Sequence, residues 1–197
     1  MIDTGILLAW GATYKKLSTG ETIFREGTEA HFYYQLESGS VKWVNITEDG
    51  KEFIQNMIEA GECFGELPLF DDLPYAASAV ANKDSVILRL HKNTFHQLLK
   101  EQPEIHFKFS KHLTECLRFK LMFIKELANA SPEHTIKSLF SYFKEKKRHI
   151  CLNCNKVQLT RQQIADMTGL RVETVIRAIR HLQDKGLLTI DRGKVYC

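Results

Sequence analysis

LTRQQIADMTGLRVETVIRAIRHLQDKGLLTI, residues 159–190, reads as two short helices joined by a tight turn. Thr160 is an N-cap residue type with Gln163 three positions on, a capping box in which hydroxyl and amide satisfy orphan N–H groups at a helix start. The first helix is expected from about Arg161 to Thr168, with Gly169 supplying the positive φ that ends it. On the second helix Val172, Val175, Ile179 and Leu182 recur at intervals of three, four and three residues. They share one face with Ala178, and that face has something to bury. The opposite face carries Glu173, Thr174, Arg177, Arg180 and His181.

Glu173 and Arg177 stand one helical turn apart. Arg177 suits the O6 and N7 of guanine, and Glu173 can accept from the N4 amino group of cytosine in a major groove. Ile176, at the edge of this face, suits a thymine methyl. Taken alone, the pair reads more plainly as a solvated i,i+4 ion pair on a surface helix. It is followed by GLLTIDRGKVY, in which Asp191-Arg192-Gly193-Lys194 has the composition of the turn of a small β-wing. Helix-turn-helix plus wing predicts a reader of double-stranded DNA. Thr160 and Arg161 would hold backbone phosphates, and Glu173, Thr174, Arg177 and Arg180 would face the groove. Gln162 and Arg171 complete the candidate DNA-binding set.

Charge follows the same division. Residues 1–131 carry 14 Lys+Arg against 18 Asp+Glu, a balance of −4; residues 132–197 carry 13 against 6, a balance of +7. A basic C-terminal third is the electrostatic footprint of a polyanion binder. The opening residues MIDTGILLAWGATYKK lack the basic start and long apolar core of a signal peptide, and no run approaches a membrane span, so a cytoplasmic location and no membrane partner are expected. The five cysteines, Cys63, Cys116, Cys151, Cys154 and Cys197, are expected to be free thiols.

From about Leu17 to Leu90 the chain changes to short alternating runs punctuated by glycine. Phe32, Tyr34 and Leu36 alternate with polar neighbours, as do Val41 and Trp43, then Ile54, Asn56 and Ile58. Glu37-Ser38-Gly39 and Glu48-Asp49-Gly50-Lys51 read as turns, the second a hairpin signal. Such spacing predicts an antiparallel jelly roll or barrel rather than a parallel sheet. A metal enzyme on such a barrel needs clustered histidines; the segment holds only His31, with His91 just beyond it, so no enzyme is expected.

Gly61 to Val80, GECFGELPLFDDLPYAASAV, resembles the corresponding segment of the Crp/Fnr superfamily of bacterial transcription regulators. There a Phe-Gly-Glu-Leu segment precedes a short helix and an Arg-Ser or Arg-Thr pair; Phe64-Gly65-Glu66-Leu67 matches it. The TRQQIADMTGLRVETVIR segment is similar to the family's reading head, and the resemblance covers nearly the whole chain. It implies an α+β fold: an N-terminal antiparallel β-roll sensory domain (1–102), a dimerisation helix with hinge (103–131) and a winged helix-turn-helix domain (132–197). It implies a homodimer on a palindromic operator with half-sites ~34 Å apart, and RNA polymerase as a candidate partner.

In cyclic-nucleotide-binding members of the family, backbone N–H groups and the arginine hold the cyclic phosphate while the glutamate takes the ribose. The resemblance therefore outlines an effector pocket of Phe64, Gly65, Glu66, Leu67, Ala76, Ala77, Lys120 and Leu121. Glu66 is present, but Ala76 stands at the arginine position, Ala77 replaces the hydroxyl residue, and Pro68 removes a backbone donor. Lys120 and Leu121 stand where cyclic-AMP-responsive members offer Thr-Ser to the adenine. These departures argue against cyclic AMP, leaving an unknown small-molecule effector or none; no cofactor is assigned. Val-Glu-Thr-x-x-Arg is similar to the Fnr-type reading helix, and Arg171 stands where the family often has a Ser or Thr N-cap.

Pro103 marks the start of a long helix. Its Phe109-Leu113-Cys116 seam resumes at Phe123 and Leu127, and a second stripe (Leu117, Leu121, Ile124, Ala128) runs beside it. One stripe can pack on the roll and the other on a partner helix. Asn129-Ala130-Ser131-Pro132 reads as the hinge, with Ser131 as N-cap and Pro132 at the first helical position. The next helix buries Ile136, Leu139, Phe140 and Phe143 and ends in Lys144-Glu145-Lys146-Lys147-Arg148. Cys151 and Cys154 form one CxxC. A closed zinc site needs two more ligands, so no metal site is assigned and a plain hairpin is favoured over a redox or metal role. The alternative function is a small-molecule or redox- or metal-responsive module acting through a protein partner.

Overall fold

The computed structural model describes residues 1–128 and 131–197, which divide into two compact units, Met1–Glu115 and Cys116–Cys197. Asn129 and Ala130, half of the expected hinge, lie outside the described residues.

The first unit runs α1 (Thr4–Ala9), β1 (Thr13–Leu17), β2 (Thr22–Phe24), β3 (Phe32–Ile46), β4 (Glu52–Ile58), β5 (Cys63–Phe64), α2 (Pro68–Asp71), β6 (Ser78–His91), α3 (Lys92–Glu101) and the start of α4 (Pro103–Leu127). Its strands form one six-stranded antiparallel sheet in the order β1-β6-β3-β4, with β2 paired to β6 and β5 to β3. β3 and β6 are its spine, pairing from Phe32↔His91 to Val44↔Ser78.

That pairing slips between Leu36 and Val41, and here the structure corrects an expected turn. Glu37-Ser38-Gly39 does not end a strand. Gly39, at φ 103°, sits inside a continuous β3 with Ser85 of β6 against its Cα, where a Cβ would collide. The Ser85 hydroxyl donates to Lys83 O (2.7 Å) and accepts from the Ser40 N–H (3.0 Å), so a side chain fills the broken ladder. A bulge of this kind bends the strand and increases its twist, which curls the sheet into a roll. The Asp-Gly hairpin between β3 and β4 forms as expected: Gly50 has φ 74° and the Thr47 N–H donates to Lys51 O (2.9 Å).

The expected polar alternation at the start of β3 is also corrected, because Tyr33, Tyr34, Gln35 and Leu36 are all buried. Helices cover the sheet face that alternation would leave to water. The Tyr33 ring stacks on Phe95 of α3 at 4.6 Å and meets Phe109 of α4 edge-on at 6.2 Å. Its hydroxyl donates to Gln35 Oε1 (2.7 Å), which also accepts the Ile2 N–H (3.1 Å), while Gln35 Nε2 donates to Ile2 O (2.9 Å). A buried amide this fully satisfied costs little and fixes where the N-terminal segment docks.

The second unit holds the rest of α4, α5 (Pro132–Lys146), α6 (Arg161–Thr168), α7 (Val172–Asp184) and a two-stranded wing, β7 (Thr189–Asp191) and β8 (Lys194–Tyr196). Ser131 caps α5, its hydroxyl accepting the His134 N–H (3.3 Å), and Pro132 opens the helix. Ile136, Leu139, Phe140 and Phe143 are buried as the spacing requires. On α4, Phe119, absent from both expected stripes, is buried against Phe123 (5.6 Å) and Tyr142 (4.5 Å). Leu127, placed by its spacing in one stripe with Phe109, Leu113, Cys116 and Phe123, is 40% exposed while Phe123 is buried, and it lies with Leu117, Leu121 and Ile124, exposed at 59%, 60% and 62%.

Candidate nucleic-acid interface and effector pocket

The reading head is built from its caps. The Thr160 hydroxyl accepts the Gln163 N–H (3.1 Å) and Gln163 Oε1 accepts the Thr160 N–H (2.9 Å), closing the capping box. α6 ends on Gly169 at φ 69°. α7 follows Arg171, an N-cap that makes no side-chain hydrogen bond, so no N-cap side chain takes up the N–H groups of its first turn. Val175, Ala178, Ile179 and Leu182 are buried, which fixes the rotation of α7 and leaves Glu173, Arg177 and Arg180 exposed with Thr174 part-exposed. Among the described residues Glu173 and Arg177 are not an ion pair; Arg177 Nη2 reaches the Thr174 hydroxyl at 3.5 Å. The guanidinium is thus free of the partner that the plain surface reading assigns to it.

His181 is exposed at the far end of this face and has a partner on another helix. Its Nδ1 lies 3.0 Å from Glu133 Oε1 at the start of α5, and that imidazole braces one helix against another. Thr160, Gln162 and Arg171 are exposed and Arg161 is part-exposed. Arg161 Nη2 donates to Gly193 O (3.4 Å) at the wing tip, where Arg192 and Gly193 both have positive φ (45° and 76°), as a two-residue hairpin turn requires. A cavity of about 410 Å³ lies between the α6 start and the wing, lined by Lys156, Thr160, Arg161, Gly193 and Lys194 among others. Three cations and a helix N-terminus around one hollow suit a backbone phosphate.

In the first unit, Phe64 and Ala77 are buried, Ala76 and Leu67 are exposed, and Glu66 is buried at 6% exposure. Burial, aided by the charge of Glu62, raises the Glu66 carboxyl from its ordinary value to about 7. Its oxygen comes within 4.8 Å of a ring nitrogen of His112 on α4, a residue that sequence spacing did not single out. The Ala76 carbonyl accepts from Asn45 Nδ2 (2.8 Å) and that of Ala77 from the Trp43 indole (3.2 Å), so this segment is bonded to β3. Phe24 stacks on Tyr75 at 3.7 Å and lies 5.7 Å from Tyr34 and 6.0 Å from Phe64. A Cβ at Gly65 would stand 2.5 Å from the Phe24 ring, so that glycine is required by the aromatic cluster as well as by its φ of 69°. Phe24 and Tyr75 also escaped the sequence reading. In the second unit Lys120 is part-buried, and burial lowers its ammonium pKa, while Leu121 is exposed.

The cyclic nucleotide-binding domain family matches residues 14–102, and the Crp-like helix-turn-helix domain family matches residues 136–196. The anaerobic regulatory protein of Bacillus subtilis is 29% identical over 191 residues, 93% of this chain and 79% of that one. The cAMP-activated global transcriptional regulator CRP of Haemophilus influenzae is 28% identical over 187 residues, 92% and 84% of the two chains. Among solved structures, the c-di-GMP responsive global regulator CLP of Xanthomonas campestris superposes with a TM-score of 0.77 at 21% identity, covering 98% of each chain.

An antiparallel roll of the nucleotide-binding type followed by a long helix and a winged reading head defines a DNA-binding transcription regulator. The chain belongs to the Crp/Fnr family.

Proposed function

We propose that the protein acts as a homodimer in which residues 1–102 sense, 103–131 form the dimer spine with its hinge, and 132–197 read the operator. The observation that carries this is the division of α7. Val175, Ala178, Ile179 and Leu182 are buried while Glu173, Arg177 and Arg180 are left in solvent on the opposite side. Arg177 takes a guanine and Glu173 the cytosine amino group. Thr160, Arg161 and Gln162 hold phosphates beside the wing, and Arg171 and Arg180 flank the groove contacts. The exposed stripe of Leu117, Leu121, Ile124 and Leu127 supports the dimer, since four large apolar side chains in a row on one helix are costly in water.

The effector is not cyclic AMP in this reading. A cyclic phosphate at Ala76 finds no guanidinium, a loss on the order of 1.5–3 kcal/mol for a hydrogen bond to a charged group, and the aromatic cluster at Gly65 narrows the same site. Among the described residues no helix is long and apolar enough to cross a membrane; a regulator that reads DNA works in the cytoplasm.

A salt titration of the full-length protein on duplex DNA tests the reading. Log affinity should fall linearly with log salt, by about 0.9 per neutralised phosphate, and steeply overall. Binding insensitive to salt would show that the basic third does not engage the backbone.

A further inference from the structure

Cys151 and Cys154 lie in the connection between α5 and α6, and the proposed function makes no use of either. The connection folds on itself. The Asn155 N–H donates to Cys151 O (2.8 Å) and the Cys151 N–H to Lys156 O (2.8 Å), so both cysteines stand on one turn. Hydrogen bonding from the Cys154 side chain is the largest influence on the Cys151 thiol. The backbone N–H groups of Asn153 and Cys154 point at the same sulfur and Lys156 is nearby, which together hold the Cys151 thiol below its ordinary pKa. A sulfur so stabilised as thiolate is a nucleophile. Cys154 is exposed and Cys151 part-exposed, so a dissolved oxidant reaches both. Cys63, by contrast, is buried, and burial raises the thiol of Cys197. Among the described residues, no trio of ligand atoms mutually within 4.8 Å includes either cysteine of the turn, which favours a bond between the two sulfurs over a metal clip.

We propose that Cys151 and Cys154 form a reversible thiol–disulfide site whose oxidant is a peroxide, with Cys151 attacking and Cys154 resolving. The Cys151 thiolate attacks one peroxide oxygen; the S–O bond forms, the O–O bond breaks, and the leaving alkoxide or hydroxide takes up a proton. Cys154, losing its proton, attacks the resulting sulfenic acid sulfur; the S–S bond forms and the S–O bond breaks, releasing water. Two thiols and one peroxide give one disulfide, one alcohol (water for hydrogen peroxide) and one water. The two electrons lost by sulfur are those gained by the O–O bond.

The returning arm of the loop is joined to the wing. Ile150 bridges Val157, Lys156 bridges Tyr196, and the Val157 N–H donates to Val195 O (2.9 Å). A covalent bond between the two sulfurs restrains the turn on which β8 leans, so oxidation shifts the wing. This consequence rests on the wing and α7 reading DNA; formation of the disulfide does not.

The test uses the reduced full-length protein titrated with hydrogen peroxide, digested after Arg148 and Lys156 so that both cysteines fall in the peptide 149–156. That peptide should lose two hydrogens before Cys116 or Cys197 reacts, and dithiothreitol should restore it. C154S should stop at a sulfenic acid on Cys151, trapped by a cyclic 1,3-diketone. Oxidation of Cys116 or Cys197 first, passage to sulfinic acid without a disulfide, or zinc held by the two thiols in native mass spectrometry would each overturn the assignment. Affinity for a DNA site selected from random duplexes, measured in parallel, should fall several-fold on oxidation and recover on reduction. A disulfide that leaves affinity unchanged overturns the link to the wing, and reduced protein that binds no DNA overturns the reading head while the mass readout still decides the dithiol.

Discussion

Glu66 shows how much one residue's surroundings decide. Its carboxyl is raised by burial to about 7, so in the folded protein it keeps a proton that the unfolded chain has released above about pH 4.5. The native state binds more protons across that window, and stability therefore falls as pH rises from about 4.5 to 7, then levels off. Glu66→Gln removes the ionisable group. Urea unfolding at about pH 5 and about pH 8 should show the variant more stable than wild type at the higher pH, by on the order of 3 kcal/mol at ~1.4 kcal/mol per pKa unit; equal stability at both would contradict the burial argument. The sequence placed Glu66 and Ala76 by motif but gave no signal for His112, Phe24 or Tyr75. Phe24 and His112 arrive from a strand and a helix distant in the chain, and spacing within one segment carries no trace of them; Tyr75 lies in the motif segment itself, but only its stacking on Phe24 marks it.

At the scale of elements, α6 was legible because its stop and start signals are local chemistry: a hydroxyl, an amide three residues on and a glycine at positive φ. Thr160→Ala removes one arm of the capping box and should cost ~1 kcal/mol in chemical unfolding, within the range of N-cap losses. A loss below a few tenths of a kcal/mol would mean that water replaces the hydroxyl at no cost. α5 and α4 were equally plain from Ser131-Pro132 and Pro103. The start of β3 was not, since residues 33–36 are polar and apolar by turns but buried on both faces once α3 and α4 cover the sheet. Gly39 misled for a related reason: glycine serves a turn and a bulge alike, and only the close approach of Ser85 distinguishes them.

For the molecule as a whole, the charge division and the two apolar stripes of α4 carried the organisation, while which stripe faces outward depended on packing. Phe119 and Phe123 take the inward side, leaving Leu121 and Ile124 exposed at 60% and 62%. Leu121→Glu places a charge in the proposed dimer seam and should convert the dimer to monomer in analytical ultracentrifugation without lowering the melting temperature by more than a few degrees. A variant that stays dimeric would place the interface elsewhere.

Site selection from random duplexes, run with wild type and Arg177→Ala, tests the central claim most directly. Wild type should select an inverted repeat whose half-sites lie ~34 Å apart and contain a G·C pair; Arg177→Ala should keep the spacing, lose preference at that pair and bind ~1–3 kcal/mol more weakly. A wild-type pool without a repeat, or a variant pool with the same base preference, would contradict it.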